Sequence, residues 1–202
     1  MKKGLCEIVV VADRSGSMGA IREDAIGAFN AFLEDQQKHP GEAVLTYAQF
    51  DDMYEIVHSG KPLKDVPKLT GETYVPRGST ALLDAVGRTI DDVGRRLENT
   101  PEDQRPERIL MVILTDGHEN ASHTYTRAQV FDKIKLQRET YKWEFLFLAA
   151  GQDAFEEAAS MGIAESFIVA YAANDPKAHH MALRSTSARA SNYRSGGTAE
   201  AN

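Results

Sequence analysis

Residues 109–120 read ILMVILTDGHEN: six apolar residues in succession, then a threonine, an aspartate and a glycine. A strand with one wet face alternates apolar and polar residues, whereas a strand covered on both faces carries an unbroken apolar run. The run that ends at Leu114 therefore predicts a buried strand of a parallel sheet. Working outward, the same signature recurs at Ile8–Ala12 (IVVVA) and Phe145–Ala150 (FLFLAA).

Helical periods fill the gaps between these runs. Ala25, Ala28, Phe29, Phe32 and Leu33 follow an i, i+3, i+4, i+7, i+8 stripe, and so do Leu82, Val86, Thr89, Ile90, Val93 and Leu97. Shorter stripes at Val130, Phe131 and Ile134 and at Phe155, Ala158, Ala159 and Gly162 predict two more helices. Ala43–Phe50 and Met53–Ser59 are separated only by Asp51-Asp52, so they predict a hairpin that leaves one antiparallel strand at a sheet edge. Residues 60–79 form a long connection, Thr100–Arg108 a solvated loop, Ser166–Val169 a weak strand, and a final helix follows.

This order predicts an α/β fold: a doubly wound, mostly parallel open sheet with helices on both faces and one antiparallel edge strand. Residues 1–183 are expected to form the domain. After about Arg184 the sequence thins to Ser, Ala, Arg and Gly, so residues 184–202 are expected to be a flexible tail. In such sheets ligands gather beyond the carboxyl ends of the strands, where the strand order reverses. Asp13 ends the first apolar run and Asp116 closely follows ILMVIL, which brings two carboxylates to that edge.

Around Asp13 the sequence is VVVADRSGSMGA, residues 9–20. Spacing of two on an extended loop throws Asp13, Ser15 and Ser17 to one side. Carboxylate and hydroxyl oxygens are hard ligands, suited to Mg²⁺, Mn²⁺ or Ca²⁺ rather than Zn²⁺ or Cu²⁺. The competing reading is local: Asp13, Ser15 and Ser17 cap a helix beginning near Gly19, Ser79 or Thr80 caps the helix of Leu82 to Leu97, and Asp116-Gly117 is a turn. One residue can cap and ligate together.

Asp13-x-Ser15-x-Ser17, Thr80 in RGSTALLDA and Asp116 in LTDGHEN resemble, in type and in order, the metal-ion-dependent adhesion site of von Willebrand factor A domains. The resemblance covers roughly residues 5–170, the hairpin included. It implies a Rossmann-like fold and a cation, Mg²⁺ with Mn²⁺ or Ca²⁺ as alternatives, held by Asp13, Ser15, Ser17, Thr80 and Asp116. In the family the aspartates act partly through bound water, so the ion stays electrophilic and accepts an Asp or Glu from a partner protein. General similarity points to stand-alone prokaryotic and phage-type members, including those associated with tellurium resistance. That implies a stress- or phage-related complex, with a chaperone-like ATPase as one class of partner.

Composition narrows the functions further. A net charge of −7 argues against a protein that grips phosphate backbones, so no nucleic-acid partner is expected. Cys6, the only cysteine, can form no internal disulfide and no thiolate metal centre. The opening MKKGLCEIVVVA mimics a signal peptide, but Glu7 interrupts it, and no segment approaches the ~20 apolar residues of a membrane span. A cytoplasmic location without membrane contact is expected.

Three enzyme readings fail on residues. A haloacid-dehalogenase-type phosphatase needs a second aspartate where Ser15 stands. The G-x-S-x-G elbow lacks its first glycine around Ser17, and no Gly-rich phosphate cradle follows any strand. The expected function is a non-enzymatic, divalent-cation-dependent protein-interaction module. A metal-dependent hydrolase of a phosphoryl substrate, or a structural module with a vestigial site, stand as alternatives. Arg14, His118 and Glu119 either line the binding face or tune it as loop residues, and Asn120 braces the loop. His179-His180 are neighbours and make a poor chelate, so they belong to a solvated helix.

Overall fold

The computed structural model describes residues 1–116, 118–150, 154–172 and 176–201, the side chains of Pro176 and His179 aside. The strands are β1 (Lys2–Asp13), β2 (Ala43–Phe50), β3 (Tyr54–Pro62), β4 (Pro106–Thr115), β5 (Glu144–Ala150) and β6 (Ile168–Tyr171). They form one six-stranded sheet in the order β3-β2-β1-β4-β5-β6. β3 pairs antiparallel with β2 at one edge, and every other pair is parallel. Helices α1 (Arg22–Lys38) and α5 (Pro176–Arg194) cover one face; α2 (Leu82–Glu98), α3 (Arg127–Glu139) and α4 (Ala154–Ser160) cover the other. The expected α/β class, the doubly wound sheet and the antiparallel edge strand are all present.

The unbroken apolar runs follow from this layering. Successive strand residues point to opposite faces. Ile8, Val10 and Ala12 of β1 accordingly pack with Phe29, Phe32 and Leu33 of α1, while Val9 and Val11 pack with Leu82, Val86 and Ile90 of α2. β4 divides likewise, Leu110 and Val112 to one core, Met111 and Ile113 to the other. Glu7, the polar break in β1, is buried there, accepts a 2.6 Å hydrogen bond from Thr46 and pairs with Arg96 of α2. The last strand begins two residues later than its sequence suggests, because Ser166 and Phe167 form a short 3₁₀ turn.

The chain leaves β1 for β2 on one side and returns to β4 on the other. The reversal of strand order therefore lies between the carboxyl ends of β1 and β4, where Asp13 and Asp116 stand.

The expectation of a flexible tail from residue 184 is corrected by α5, which continues to Arg194. Ala190, Tyr193 and Ala199 are buried in the α1 core, Gln36 of α1 donates to Ser187 and Ser191, and the Tyr193 hydroxyl donates to the Ile109 carbonyl. Arg189 and Arg194 donate to the carbonyls of Ser166 and Gln36. Trypsin should therefore cut after Arg189 and Arg194 far more slowly in the native protein than in the denatured chain, as mass spectrometry of a digestion time course would read. Early cleavage at both would return this segment to disorder. Among the described residues no helix is long and apolar enough to cross a membrane.

Candidate metal centre

The end of β1 delivers Asp13 into the interior, 1 % exposed. One of its oxygens accepts the Ser15 amide at 2.7 Å, and the other accepts the Thr115 hydroxyl at 2.7 Å. Thr115 is the residue that sequence reading missed. Its signal was the pairing of the two apolar runs: Ala12 lies beside Leu114, which sets Asp13 beside Thr115. The Tyr74 hydroxyl, from the long connection, donates to the Asp13 carbonyl.

Ser15 is buried and Ser17 is exposed, with their hydroxyl oxygens 3.0 Å apart. Ser17 in turn donates to Asp116 at 2.8 Å, across 99 residues of sequence. Hydrogen bonds thus join Asp13, Ser15, Ser17 and Asp116 in one chain. Adjacent ligands of an octahedral ion with bonds of 2.0–2.1 Å stand about 2.8–3.0 Å apart, which matches the spacing of these hydroxyl and carboxylate oxygens.

Thr80 comes from a third loop, pressed against the first by the Gly16 amide on the Gly78 carbonyl at 3.1 Å. It is buried. Its backbone is fixed by Asn120: the Thr80 amide donates to the Asn120 side-chain oxygen at 2.9 Å, and the Asn120 amide returns a 3.0 Å bond to the Thr80 carbonyl. Asn120→Ala removes that acceptor, and is expected to cost about 1 kcal/mol, roughly 2–4 °C in melting temperature. It should also weaken any cation-dependent stabilisation; melts in chelator and in magnesium read both effects.

The capping reading does not describe these side chains. Neither the 3₁₀ turn that starts at Gly16, nor α1, nor α2 has a side-chain N-cap hydrogen bond from its own N-cap residue. The first amides of α2 are satisfied from across the site, Leu83 by the Glu119 carboxylate and Asp84 by the Ser122 hydroxyl. Glu119 is thereby a brace rather than a lining residue. Arg14 also turns inward, 7 % exposed, and pairs with Asp51 and Glu55, while His118 remains exposed. The turn expected at Asp116-Gly117 and the side chain of His179 lie outside the described residues.

Electrostatically the centre is short of positive charge. Burial pushes the Asp13 carboxyl up to about 6, against hydrogen bonds from Thr115 and Ser15, and the neighbouring Asp116 adds to the rise. Burial also raises Asp116, against the Ser17 hydrogen bond. Tyr171 nearby is raised first by burial and then by the charges of Asp116 and Asp13. Among the described residues no three His, Cys, Asp or Glu side chains cluster. Two carboxylates and the Ser15 and Ser17 hydroxyls, with the Thr80 hydroxyl on the adjoining loop, are oxygen donors of the kind that fits a hard divalent cation.

No family profile and no curated protein matches the chain. Solved structures do. A von Willebrand factor type A protein from Catenulispora acidiphila is 15% identical, with a TM-score of 0.57 over 93% of this chain and 42% of that one. Proximal thread matrix protein 1 of the mussel byssus, in a structure with a zinc-occupied metal-ion-dependent adhesion site, is 16% identical with a TM-score of 0.59, over 90% of this chain and 45% of that one. The manganese-loaded TRAP protein of Plasmodium vivax is 14% identical with a TM-score of 0.56, over 86% and 71%. The chain spans less than half the length of the first two. At these identities the likeness is one of fold, and the fold of this chain is that of von Willebrand factor A domains.

Proposed function

We propose that the chain is a divalent-cation-dependent protein-interaction module, in which Asp13, Ser15, Ser17, Thr80 and Asp116 hold the ion. The observation that carries this reading is the hydrogen-bonded run at the strand-order reversal, from the Thr115 hydroxyl and the Asp13 carboxylate through the Ser15 amide and hydroxyl and the Ser17 hydroxyl to Asp116. Neighbours of the same fold, one with a zinc-occupied metal-ion-dependent adhesion site and another manganese-loaded, support it.

A bound cation supplies an electrophilic centre with a coordination position open to an outside ligand. Asp13 and Asp116 contribute its two negative charges, and Ser15, Ser17 and Thr80 contribute neutral oxygens. Exposed Ser17 marks the side from which a partner approaches, while buried Asp13 and Ser15 close the other. The ligand that fits is a carboxylate, an Asp or Glu of a partner protein. The hard donor set favours magnesium, with manganese or calcium as alternatives. A chaperone-like ATPase in a stress- or phage-related cytoplasmic complex is the partner class that the family resemblance implies, and no nucleic acid or membrane enters this reading.

The test is retention of partners from a lysate on immobilised protein, in magnesium and in chelator, with Asp13→Ala as control. Partners held only in magnesium, and only by the parent chain, are expected. Equal retention in chelator sinks the proposal. Turnover of a generic phosphoester that requires magnesium and Asp13 would move the reading to the hydrolase.

A further inference from the structure

We propose that Asp51 is a positioning residue that sets the gap between the two loops supplying Asp13, Ser15, Ser17 and Thr80, and so makes the site selective for a small octahedral cation over calcium. The inference rests on the cation-site reading above.

Asp51 opens the turn between β2 and β3, where a polar side chain ordinarily faces water. Its neighbours Asp52 and Met53 do so, but Asp51 is fully buried. A buried carboxylate is costly unless it is paired and hydrogen-bonded. One oxygen of Asp51 receives both Arg14 Nε at 3.0 Å and Arg77 Nε at 2.8 Å, and the other receives the Met53 amide at 2.6 Å.

The two arginines belong to different ligand loops. Arg14 lies between Asp13 and Ser15, and Arg77 lies three residues before Thr80. The main chain repeats the connection: the Ala81 amide, next to Thr80, donates to the Asp51 carbonyl at 3.0 Å. The Arg14 amide donates to the Phe50 carbonyl at 2.7 Å, and the Arg77 amide to the Arg14 carbonyl at 2.8 Å. Gln49 and Glu55 hold the far side of the Arg14 guanidinium at 3.1 and 2.9 Å.

The fit leaves little slack. Gly78 sits at φ +64°, and a Cβ there would stand 1.8 Å from an Asp52 carboxylate oxygen. The loop bearing Thr80 is thus pressed on the same turn from which Asp51 pulls.

Magnesium demands a near-ideal octahedron at 2.0–2.1 Å, whereas calcium accepts six to eight oxygens at 2.3–2.6 Å. Releasing one loop from the other therefore penalises magnesium more than calcium. Loss of an outer partner typically lowers metal affinity 10–100-fold.

The experiment is calorimetric titration of the full chain and of Asp51→Asn with magnesium alone and with calcium alone. Arg77→Gln serves as a second variant at a half-exposed position, should Asp51→Asn fail to fold. Magnesium affinity is expected to fall about tenfold or more in either variant, with calcium affinity falling by clearly less. General destabilisation lowers both together and leaves their ratio unchanged, and an unchanged ratio overturns the inference alone. If the parent chain binds neither ion, the cation-site reading falls and this inference with it.

Discussion

Asp13→Asn is expected to abolish the cation-dependent rise in melting temperature while leaving the chelated protein at least as stable as the parent. The first half follows from linkage. A cation that binds only the folded chain, present at ~100 times its dissociation constant, stabilises by about 2.7 kcal/mol. In a domain of this size that corresponds to roughly 5–11 °C. The amide keeps the shape but removes one of the two charges that hold the ion.

The second half separates a ligand from a structural residue. The Asn side-chain oxygen still accepts the Ser15 amide, and its nitrogen can donate to the Thr115 hydroxyl, which then acts as acceptor. What disappears is a buried negative charge that the metal-free fold disfavours. A structural aspartate would show the opposite pattern, losing stability in chelator and in magnesium alike. Differential scanning calorimetry of both proteins under both conditions decides the matter. A variant that retains the parent's magnesium shift refutes the assignment of Asp13.

Fold and site were unequally legible. The sheet could be read because burial on both faces leaves a local trace, an unbroken apolar run such as Ile109–Leu114, and both helix faces that mattered carry a 3.6-residue stripe. The five candidate ligands were legible because each stands at the end of such a run or at a helix start. What holds them was not. Arg14 meets Asp51 only because β1 and β2 are neighbours, and Glu119 reaches the first turn of α2 from 36 positions away. No spacing rule records contacts of that kind.

The carboxyl-terminal helix misled for another reason. Its buried stripe includes Ala182, Thr186, Ser187 and Ala190, small residues that pack closely against α1 or bond to Gln36. Composition counts these as the vocabulary of disorder. Packing uses them because they let two helices approach.

In chelator, stability should rise as the pH is lowered from about 8 toward 4.5, and saturating magnesium should remove that rise. Asp13 in the fold titrates at about 6, against 3.8 for an ordinary aspartate. Between those values the folded chain holds a proton that the unfolded chain has released. The contribution to stability is therefore fully present below the unfolded pKa and is lost as pH climbs through about 6. A rise from 3.8 to about 6 is worth about 3 kcal/mol. Asp116, raised by its own burial, acts with the same sign. Asp84, held low by the backbone amides of His123, Tyr125 and Thr124 despite the opposing effect of burial, acts with the other sign, and its share is lost only as pH falls below the ordinary aspartate range.

Magnesium levels the slope because ligands must be deprotonated to bind it, so its stabilisation grows as pH rises through 6. Denaturant midpoints in chelator and in magnesium should draw together as pH falls from 7 to 5 and keep a constant separation above about 7, whereas Asp13→Asn should flatten both the metal-free slope and the separation. If the two curves run parallel from pH 5 to 8, proton and cation do not compete for Asp13, and the carboxylate that anchors the site is not a ligand.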